Sequence, residues 1–377
     1  MQRHFYVATL AASAIFLAAC GKKEEAAAPP VAEAAKPEGA DPALFLTQPL
    51  DVDIYTADPS AHVFNGRIYI MPSHDIDAGV PNDPTGAQYA MVDYHVLSMD
   101  KIGGPVTTHD VALHVKDVPW ASERMWAPDM NEKDGKYYLY FPAYDKQGVF
   151  RIGAAVSDKP EGPYTAQPEP IKDSFSMDPA VFKDDDGKYY MYFGGLWGGQ
   201  LQQWKTGKHE PNDLSQPPDD QPALSPKVAR MADNMLEFAE KPKDALIVDE
   251  NGKPVLSGDH ARRFFEAAWM HKHDGKYYFS YSTGDTHFIA YAIGDSPYGP
   301  FTYKGNILGP VLGWTNHHSI VEVDGKTYLF YHDSQRSNGV SHLRNVKEPI
   351  ELTYNPDGTI QYVDPYKGDD APAAAAQ

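Results

Sequence analysis

Short runs of apolar and aromatic residues, separated by tight-turn signals, recur along this chain of 377 residues. Segments such as YYLYF at Tyr137 and YYMYF at Tyr189 are apolar at successive positions, which predicts strands covered on both faces by neighbouring sheets. An Asp-Gly pair precedes each of these strands and favours a type I′ hairpin, because both central positions of that turn need a positive φ. The pattern therefore predicts repeated strand-turn-strand units.

The unit occurs five times, as NGRIY at Asn65, DGKYY at Asp134, Asp186 and Asp274, and DGKTY at Asp324. A second repeat, SDKPEGPYT at Ser157 and GDSPYGPFT at Gly294, follows two of these turns at similar distances. About 50 residues suffice for one four-stranded propeller blade. The sequence predicts an all-β protein with a five-bladed β-propeller. The alternative is an ordinary β-sandwich whose turns resemble one another by coincidence.

Each unit carries one ionisable residue six to nine positions before its turn glycine, and a sandwich would not explain this recurrence. The five residues are Asp58, Asp129, Asp178, Glu266 and His317. If each begins the innermost strand of a blade, closure of the ring brings all five to one mouth of the axial channel. Inverting hydrolysis of a glycosidic bond needs a general base and a protonated general acid, and a third carboxylate raises the pKa of the acid by charge repulsion.

Composition narrows the choice of ligand. The formal net charge of −19 argues against nucleic acid, whose phosphates require clustered Lys and Arg, and it suits a neutral substrate. The 24 Tyr and 6 Trp residues offer rings for stacking on sugar faces, although propeller blades also consume tyrosine.

The N-terminal segment is similar to a bacterial lipoprotein signal. Arg3 is followed by an uncharged apolar run, Phe5 to Ala19, which is too short for a stable transmembrane helix, and then by Cys20, the only cysteine. The resemblance implies cleavage before Cys20, attachment of lipid to its sulfur, and export to the periplasmic or outer face of a membrane. The alternative is a buried helix that ends in an inert cysteine.

The predicted organisation has four parts. Residues 1–19 form the signal peptide, 20–44 a flexible Ala- and Pro-rich linker, 45–365 the propeller, and 366–377 a disordered tail. A polar insertion over about 205–263 separates the third unit from the fourth. Within it, MADNMLEFAEK at Met231 predicts a short amphipathic helix with Met231, Met235 and Phe238 on one face.

The motifs around the ionisable residues resemble glycoside hydrolase family 43, the five-bladed propeller hydrolases of arabinose- and xylose-containing polysaccharides. The resemblance spans residues 50 to 365. ADPSAHVFNGRIYIMPSHD at Ala57 implies that Asp58 is the general base, and FFEAAWMHKHDGKYYFSYS at Phe264 implies that Glu266 is the general acid. SMDPAVFKDDDGKYYMYFGG at Ser176 implies that Asp178 tunes the pKa of the acid and orients it.

The second and fifth motifs imply further contacts. MWAPDMNEKDGKYYLYF at Met125 resembles the motif whose Trp and Asp, here Trp126 and Asp129, line the pocket floor. NHHSIVEVDGKTYLFYHD at Asn316 matches His317 to an axial histidine that binds calcium directly or through water, although Asn316 replaces the usual glycine. Calcium or another divalent ion near the axis is therefore expected, and no organic cofactor.

Zinc is the weaker alternative. It would use the pairs His271 and His273 or His317 and His318, but no third ligand at standard spacing follows. Arg344, in SHLRNV, resembles an arginine that binds sugar hydroxyls, a role that suits its fork of donors, and it could equally form a surface salt bridge. Further candidate substrate contacts, for which core packing is the alternative, are Trp197, Phe64, His74 and Gln200.

The resemblance implies removal of terminal pentose units from xylan or arabinoxylan oligosaccharides with inversion. The favoured activity is β-1,4-xylosidase, and α-L-arabinofuranosidase is second. A more remote alternative is a lipoprotein that binds glycans without cleaving them, which would require the loss of one carboxylate.

Overall fold

The computed structural model describes residues 39–368, which form five sheets in chain order, with antiparallel pairing throughout except for one short edge strand in the fourth. The first sheet contains β1 (Tyr55–Phe64), β2 (Arg67–Asp75), β3 (Asp93–Met99) and β4 (Thr107–His114). The second contains β5 (Ala121–Glu123), β6 (Asp129–Lys133), β7 (Lys136–Asp145), β8 (Phe150–Ser157) and β9 (Thr165–Ala166). The third contains β10 (Ala180–Lys183), β11 (Tyr189–Phe193), β12 (Lys227–Arg230) and β13 (Lys243–Asp244).

The fourth sheet contains β14 (Ile247–Val248), β15 (Glu266–His273), β16 (Lys276–Ser282), β17 (Ile289–Gly294) and β18 (Phe301–Leu308), and β14 pairs in parallel with β18. The fifth contains β19 (His318–Val323), β20 (Lys326–Asp333), β21 (Asn345–Val346) and β22 (Ile350–Glu351). The helical segments of the described residues are single 3-10 turns: Pro42–Leu44, Val115–Asp117, Trp197–Gly199, Leu201–Trp204, Gly284–Thr286 and Gln335–Ser337.

The first strand of each hairpin unit lies innermost. Strands β1, β6, β10, β15 and β19 each contact the next in that order, and β19 contacts β1 again. This closed cycle confirms the predicted five-bladed propeller, in which the sheets are blades 1 to 5.

The hairpin turns follow the predicted chemistry with one exception. Asn65 and Gly66 have φ of 51° and 76°, as a type I′ turn requires, and the turns at Asp134, Asp274 and Asp324 are of the same kind. The third turn differs, since Gly187 has φ 78° but Asp186 is not left-handed. Its strands are paired only as far as Lys183 and Tyr189, so a longer loop with one left-handed glycine replaces the two-residue turn.

The blades are stacked through aromatic side chains on both faces of each sheet. Along β7, Leu139 and Phe141 pack in the cluster shared with blade 1, whereas Tyr140 packs in the cluster shared with blade 3. All three are fully buried, and each such side chain stabilises the fold by about 1.5–3 kcal/mol. The continuous apolar runs in the sequence are thus explained by burial on both faces.

Backbone pairing extends beyond both predicted propeller boundaries. Phe45 forms a bridge with Tyr366, and the Lys367 amide donates to the Leu44 carbonyl at 2.8 Å. Cys20 and the predicted signal segment lie outside the described residues. No helical segment between residues 39 and 368 has the length and apolar character needed to cross a bilayer.

The predicted helix at Met231 is wrong. Met231 instead pairs with Phe238 across a turn, and the Ala232 amide donates to the Glu237 carbonyl. Met231 and Met235 are nevertheless buried against the cluster between blades 2 and 3. The apolar spacing therefore reflected packing, but in a turn rather than in a helix.

Candidate active site

A cavity of about 390 Å³ opens where the innermost strands begin. Four of the five repeated ionisable residues line it, namely Asp58, Asp178, Glu266 and His317. Trp126, Trp197 and Arg344 line the same cavity. The repeat thus brings residues from blades 1, 3, 4 and 5 to one place, together with one of the predicted aromatic residues from blade 2.

The backbone at the three carboxyl groups is irregular. Asp58 and Asp178 have left-handed φ of 49° and 55°, and Ala267, which follows Glu266, has φ of 61°. Pairing of β1 with β2 shifts register between Ala57 and Ser60, and β15 shifts likewise after Glu266. Left-handed φ at such residues costs of order 1–3 kcal/mol, and strain of this kind clusters at functional sites.

Asp58 is held by an extensive hydrogen-bond network. Arg344 donates from Nη1 to Oδ1 at 3.1 Å and from Nη2 to Oδ2 at 3.3 Å. Ser73 Oγ donates to Oδ2 at 2.6 Å. Asp58 Oδ1 therefore receives fewer hydrogen bonds than Oδ2, which leaves it a lone pair for a further donor.

The pKa of Asp58 lies at about 2. Burial alone would raise this pKa, but the nearby Arg344 charge and then His332, His317 and the Ser73 hydrogen bond together lower it. Asp58 is consequently a carboxylate at any physiological pH.

Glu266 has the opposite tendency. Burial and the negative charge of Asp58 raise its pKa to about 8, against the smaller opposing effect of Arg344. Burial also raises the pKa of Asp178, and the charges of Glu266 and Asp58 add to that rise. Two carboxyl groups in one cavity whose pKa values are driven apart mark an acid and a base.

Asp178 contacts the backbone beside Glu266. Its Oδ2 accepts the Ala267 amide hydrogen at 2.9 Å. Because Ala267 has a left-handed conformation, this hydrogen bond fixes the point at which strand β15 begins and so the direction of the Glu266 side chain.

The histidines near Asp58 are neutral. His332 Nδ1 accepts the Asp58 amide hydrogen at 2.9 Å, and its Nε2 then donates to the Thr315 carbonyl at 3.0 Å. Burial lowers the pKa of His332 to about 3 and that of His317 to about 4. The 3.4 Å approach of His332 to Asp58 Oδ1 is therefore not an ion pair at neutral pH.

His317 fits the predicted cation site in part. A neutral imidazole has the lone pair that a metal requires, and Nδ1 lies 3.6 Å from Asp58 Oδ1 and 3.8 Å from Asp178 Oδ2. Calcium prefers oxygen ligands and often retains several waters. The neighbouring carboxylates and the open cavity satisfy that preference. His271 and His318 do not support the zinc alternative. Each ring is hydrogen-bonded within the core through Nε2, His271 to the Tyr354 hydroxyl and His318 to the Ser280 hydroxyl.

Aromatic side chains form the cavity wall. Trp126 Nε1 donates to the Tyr89 carbonyl at 2.8 Å, which fixes the ring against a connection between β2 and β3. Gly86 of that connection has φ +74°, and a Cβ there would lie 2.8 Å from the Trp126 ring. Trp197 is 40% exposed, so its ring is available to a ligand.

The structure corrects the placement of Asp129. It is fully buried and does not line the cavity. Its carboxylate accepts hydrogen bonds from His62 Nε2 at 2.7 Å and the Val181 amide at 2.5 Å, and from Ser60 Oγ. Asp129 therefore joins the innermost strands of blades 1, 2 and 3 instead of lining the cavity.

Three other predicted substrate contacts do not line the cavity either. Phe64 packs in the core between blades 1 and 2. Gln200 accepts the Phe150 amide at 2.9 Å and donates to the Gly148 carbonyl at 2.9 Å, so it holds a hairpin of blade 2. His74 pairs with Asp93 at 2.6 Å and does not line the cavity.

Sequence reasoning missed the outer part of the cavity. It is lined by residues from long connections, including Tyr89, Trp314, His260, Arg263 and Asp285. Arg263 lies 3.3 Å from Asp285, and His260 also contacts that carboxylate. The unusual length of the connections that carry them was the available signal, but it does not say which side chains turn inward.

Comparison with known proteins identifies the family. Residues 106–360 match the family model of glycosyl hydrolases family 43. The chain is 60% identical over 325 residues to xylosidase/arabinosidase 43A of Humicola insolens, covering 83% of this chain and 98% of that protein. It is 52% identical over 318 residues to a β-xylosidase of Xylanibacter ruminicola, covering 82% of this chain and 97% of that protein.

Solved structures of similar proteins belong to the same family. CoXyl43, a family 43 β-xylosidase/α-arabinofuranosidase from a compost microbial metagenome, was solved with xylotriose in a calcium-free form. It superposes with a TM-score of 0.84 at 62% identity, over 88% of this chain and 99% of that one. A family 43 enzyme of Xanthomonas citri was also solved with xylotriose. It superposes with a TM-score of 0.83 at 52% identity, over 87% of this chain and 97% of that one. This chain therefore belongs to glycosyl hydrolase family 43.

Proposed function

We propose that this protein is a β-1,4-xylosidase that removes terminal xylose units from xylo-oligosaccharides by single displacement with inversion. The observation that carries this proposal is the contrast between Asp58, whose pKa is lowered to about 2, and Glu266, whose pKa is raised to about 8, in one cavity. The names of the relatives and the xylotriose bound by two neighbours support the choice of xylose.

Asp58 acts as the general base. Its Oδ1 takes a proton from a water molecule, which attacks the anomeric carbon from the face opposite the leaving group. Arg344 and Ser73 fix the carboxylate, so little reorganisation is needed when the proton is transferred. The low pKa of Asp58 keeps its carboxylate ionised at every pH above about 2 at which Glu266 is also protonated, although it makes the carboxylate a weaker base.

Glu266 acts as the general acid and donates its proton to the glycosidic oxygen as the bond breaks. Its raised pKa keeps the proton in place at neutral pH. Asp178 orients the acid through the Ala267 amide, and its own charge, when present, opposes ionisation of Glu266. The presence of all three carboxyl groups disfavours a protein that only binds glycans.

An α-L-arabinofuranosidase activity is the second candidate. Two of the relatives carry both activities in their names, xylosidase/arabinosidase 43A of Humicola insolens and CoXyl43. The wall formed by Trp126 and Trp197 is apolar and can accept either pentose.

A calcium ion held by His317 and water is part of the proposal. The neutral imidazole and the nearby carboxylates support it, as does the description of CoXyl43 as calcium-free. When bound, such an ion would supply positive charge near Asp58 and so favour its ionised form.

We further propose export as a lipoprotein anchored through Cys20, on the basis of the N-terminal sequence pattern alone. The test is expression in a bacterium with a radiolabelled fatty acid. Label should enter the membrane-bound wild-type protein and be absent from Cys20→Ala; label in that variant would refute the anchor.

The experiment that tests the activity compares hydrolysis of 4-nitrophenyl β-D-xylopyranoside and 4-nitrophenyl α-L-arabinofuranoside. Faster cleavage of the xyloside supports the main proposal, and preference for the arabinoside would make the second candidate the function. Glu266→Gln is the matched control, because the amide keeps the size of the side chain but has no acidic proton. Release of xylose from xylobiose at the wild-type rate by that variant would refute the assignment of the acid; this comparison uses a sugar leaving group because 4-nitrophenolate departs readily without a proton.

A further inference from the structure

A histidine and carboxylate cluster lies in blade 1, outside the cavity. His74 is on strand β2, and Asp93 and His95 are on the neighbouring strand β3. One ring nitrogen from each histidine and one oxygen of Asp93 all lie within 4.8 Å of one another. Among residues 39–368 no other group of three such side chains meets this distance.

Strand register explains why these side chains share one face. Ser73 pairs with Tyr94, so His74 lies opposite Asp93 in the antiparallel ladder. His95 is two positions beyond Asp93 and therefore projects from the same face of the sheet. The backbone of two paired strands thus fixes all three residues.

The hydrogen bonds leave ligand atoms available. His95 Nδ1 donates to the His109 carbonyl at 2.8 Å, so Nε2 of the neutral ring carries the lone pair. His74 and Asp93 are joined at 2.6 Å, and the His74 and His95 rings meet edge to face at 4.9 Å. A histidine whose second nitrogen donates to a carbonyl is the usual arrangement around a metal ion.

The cluster can be reached from solvent. The side chains of His74 and Asp93 are 17% and 13% exposed. A cation can therefore enter without unfolding the blade.

We propose that His74, Asp93 and His95 bind a divalent transition-metal ion of the zinc class. Two imidazoles and one carboxylate are ligands that zinc accepts, with water as the fourth, whereas calcium would need more oxygen atoms. This site is separate from the cation expected at His317, and its ligands come from one blade.

The metal site supports the general base. Ser73 and Asp75 flank His74 on strand β2; Ser73 donates to Asp58, and Asp75 accepts from Arg344 Nε at 2.8 Å. A metal ion on His74 fixes the short strand segment that holds both residues. This consequence rests on the proposed function, but the binding of metal does not.

The test measures zinc bound to the full-length protein, made without a polyhistidine tag. The protein is equilibrated with zinc, freed of excess by gel filtration, and analysed by plasma mass spectrometry. One zinc ion per protein is expected in the wild type and in His317→Ala. In His95→Gln and Asp93→Asn the affinity for zinc should fall by more than about tenfold, because changes to residues that only contact metal ligands already lower affinity by that much. His209→Gln, a histidine outside the cluster, is the matched control and should retain zinc.

Three outcomes would overturn the proposal: no zinc in the wild type, zinc retained in both cluster variants, or zinc lost in His317→Ala. Metal-free melting curves of the variants check that each is folded. Cobalt gives an independent readout, because its visible absorption reports bound nitrogen ligands and should disappear in His95→Gln. Failure of the xylosidase assay leaves these results unchanged, so the two proposals fail separately.

Discussion

Arg344 donates hydrogen bonds to both carboxylate oxygens of Asp58, at 3.1 and 3.3 Å. Its other donors are also engaged, with Asp75 at 2.8 and 2.9 Å and with Thr315 Oγ1 at 2.7 Å. All five guanidinium hydrogens therefore have protein acceptors. The sequence suggested a sugar ligand or a surface salt bridge; in the folded protein Arg344 is buried and holds the carboxylate of Asp58, the proposed general base.

Arg344→Lys should lower kcat more than it raises KM. Lysine keeps the charge but cannot bind both oxygens, so Asp58 becomes less well oriented and its pKa rises from about 2. The base must be ionised, so the acidic limb of the rate profile should move to higher pH. We expect a loss in kcat of roughly 10- to 100-fold, equal to about 1.4–2.7 kcal/mol. A rise in KM at unchanged kcat would instead indicate direct binding of sugar hydroxyls.

Asp178→Asn should move the alkaline limb of the pH profile to lower pH. Glu266 acts while protonated, so activity is present below its pKa of about 8 and is lost as pH rises through that value. Burial and the charge of Asp58 raise the pKa of Glu266, and an ionised Asp178 would add to that rise. Asparagine cannot ionise but can still accept the Ala267 amide hydrogen, so the change isolates the electrostatic effect of Asp178. The check is the dependence of kcat/KM on pH, and an unchanged limb would leave Asp178 with an orienting role only.

Asp58→Ala should reduce kcat by roughly 10²- to 10⁴-fold, the range for loss of a positioned general base. The variant leaves Arg344 with Asp75 as its remaining charged partner, which should preserve the fold. Turnover of the 4-nitrophenyl xyloside is the measurement, with circular dichroism as the control for folding. Turnover near the wild-type rate would exclude Asp58 as the base.

The repeat predicted the fold because it is local. A turn needs only its own two residues, and the pairing of strands on either side follows from it, so five turns were enough to predict five blades. The three carboxyl groups were found for the same reason, since each recurs at a fixed distance from a turn. Asp58, Asp178 and Glu266 stand eight or nine residues before the turn glycine.

Asp129 shows where that reasoning failed. It stands six residues before Gly135 and is paired regularly with Tyr140, with no register shift. Asp58 and Asp178 have a left-handed backbone that turns their side chains into the cavity, and Asp129 does not. The outer wall was unpredictable for another reason: residues such as Trp314 and Arg263 reach the cavity through contacts between distant segments, which no local pattern records.

Removal of divalent cations should lower the melting temperature and the activity if His317 holds a metal ion. Loss of a ligand that binds only the folded protein reduces stability by mass action. The comparison is between protein with and without a chelator, and calcium should restore what the chelator removes. Addition of calcium to chelated His317→Ala should have no effect, because the calcium ligand is already missing; the chelator also removes zinc from the site proposed at His74, Asp93 and His95, and it does so equally in both proteins. An equal response of that variant would place the cation elsewhere.

Lys347→Met should lower the free energy of unfolding by roughly 3–5 kcal/mol, the cost of leaving one partner of a buried ion pair alone. Lys347 Nζ lies 2.9 Å from Asp333 Oδ2, and both side chains are buried. Lys347 Nζ also lies 4.7 Å from the centre of the Phe45 ring. Burial raises the pKa of Asp333 and lowers that of Lys347, so each charge depends on the other. Urea unfolding measures the change. Lys326→Met, which removes an exposed pair with Glu351, is the matched control and should alter stability little. Equal effects in the two variants would show that the buried pair contributes no more to stability than the exposed one.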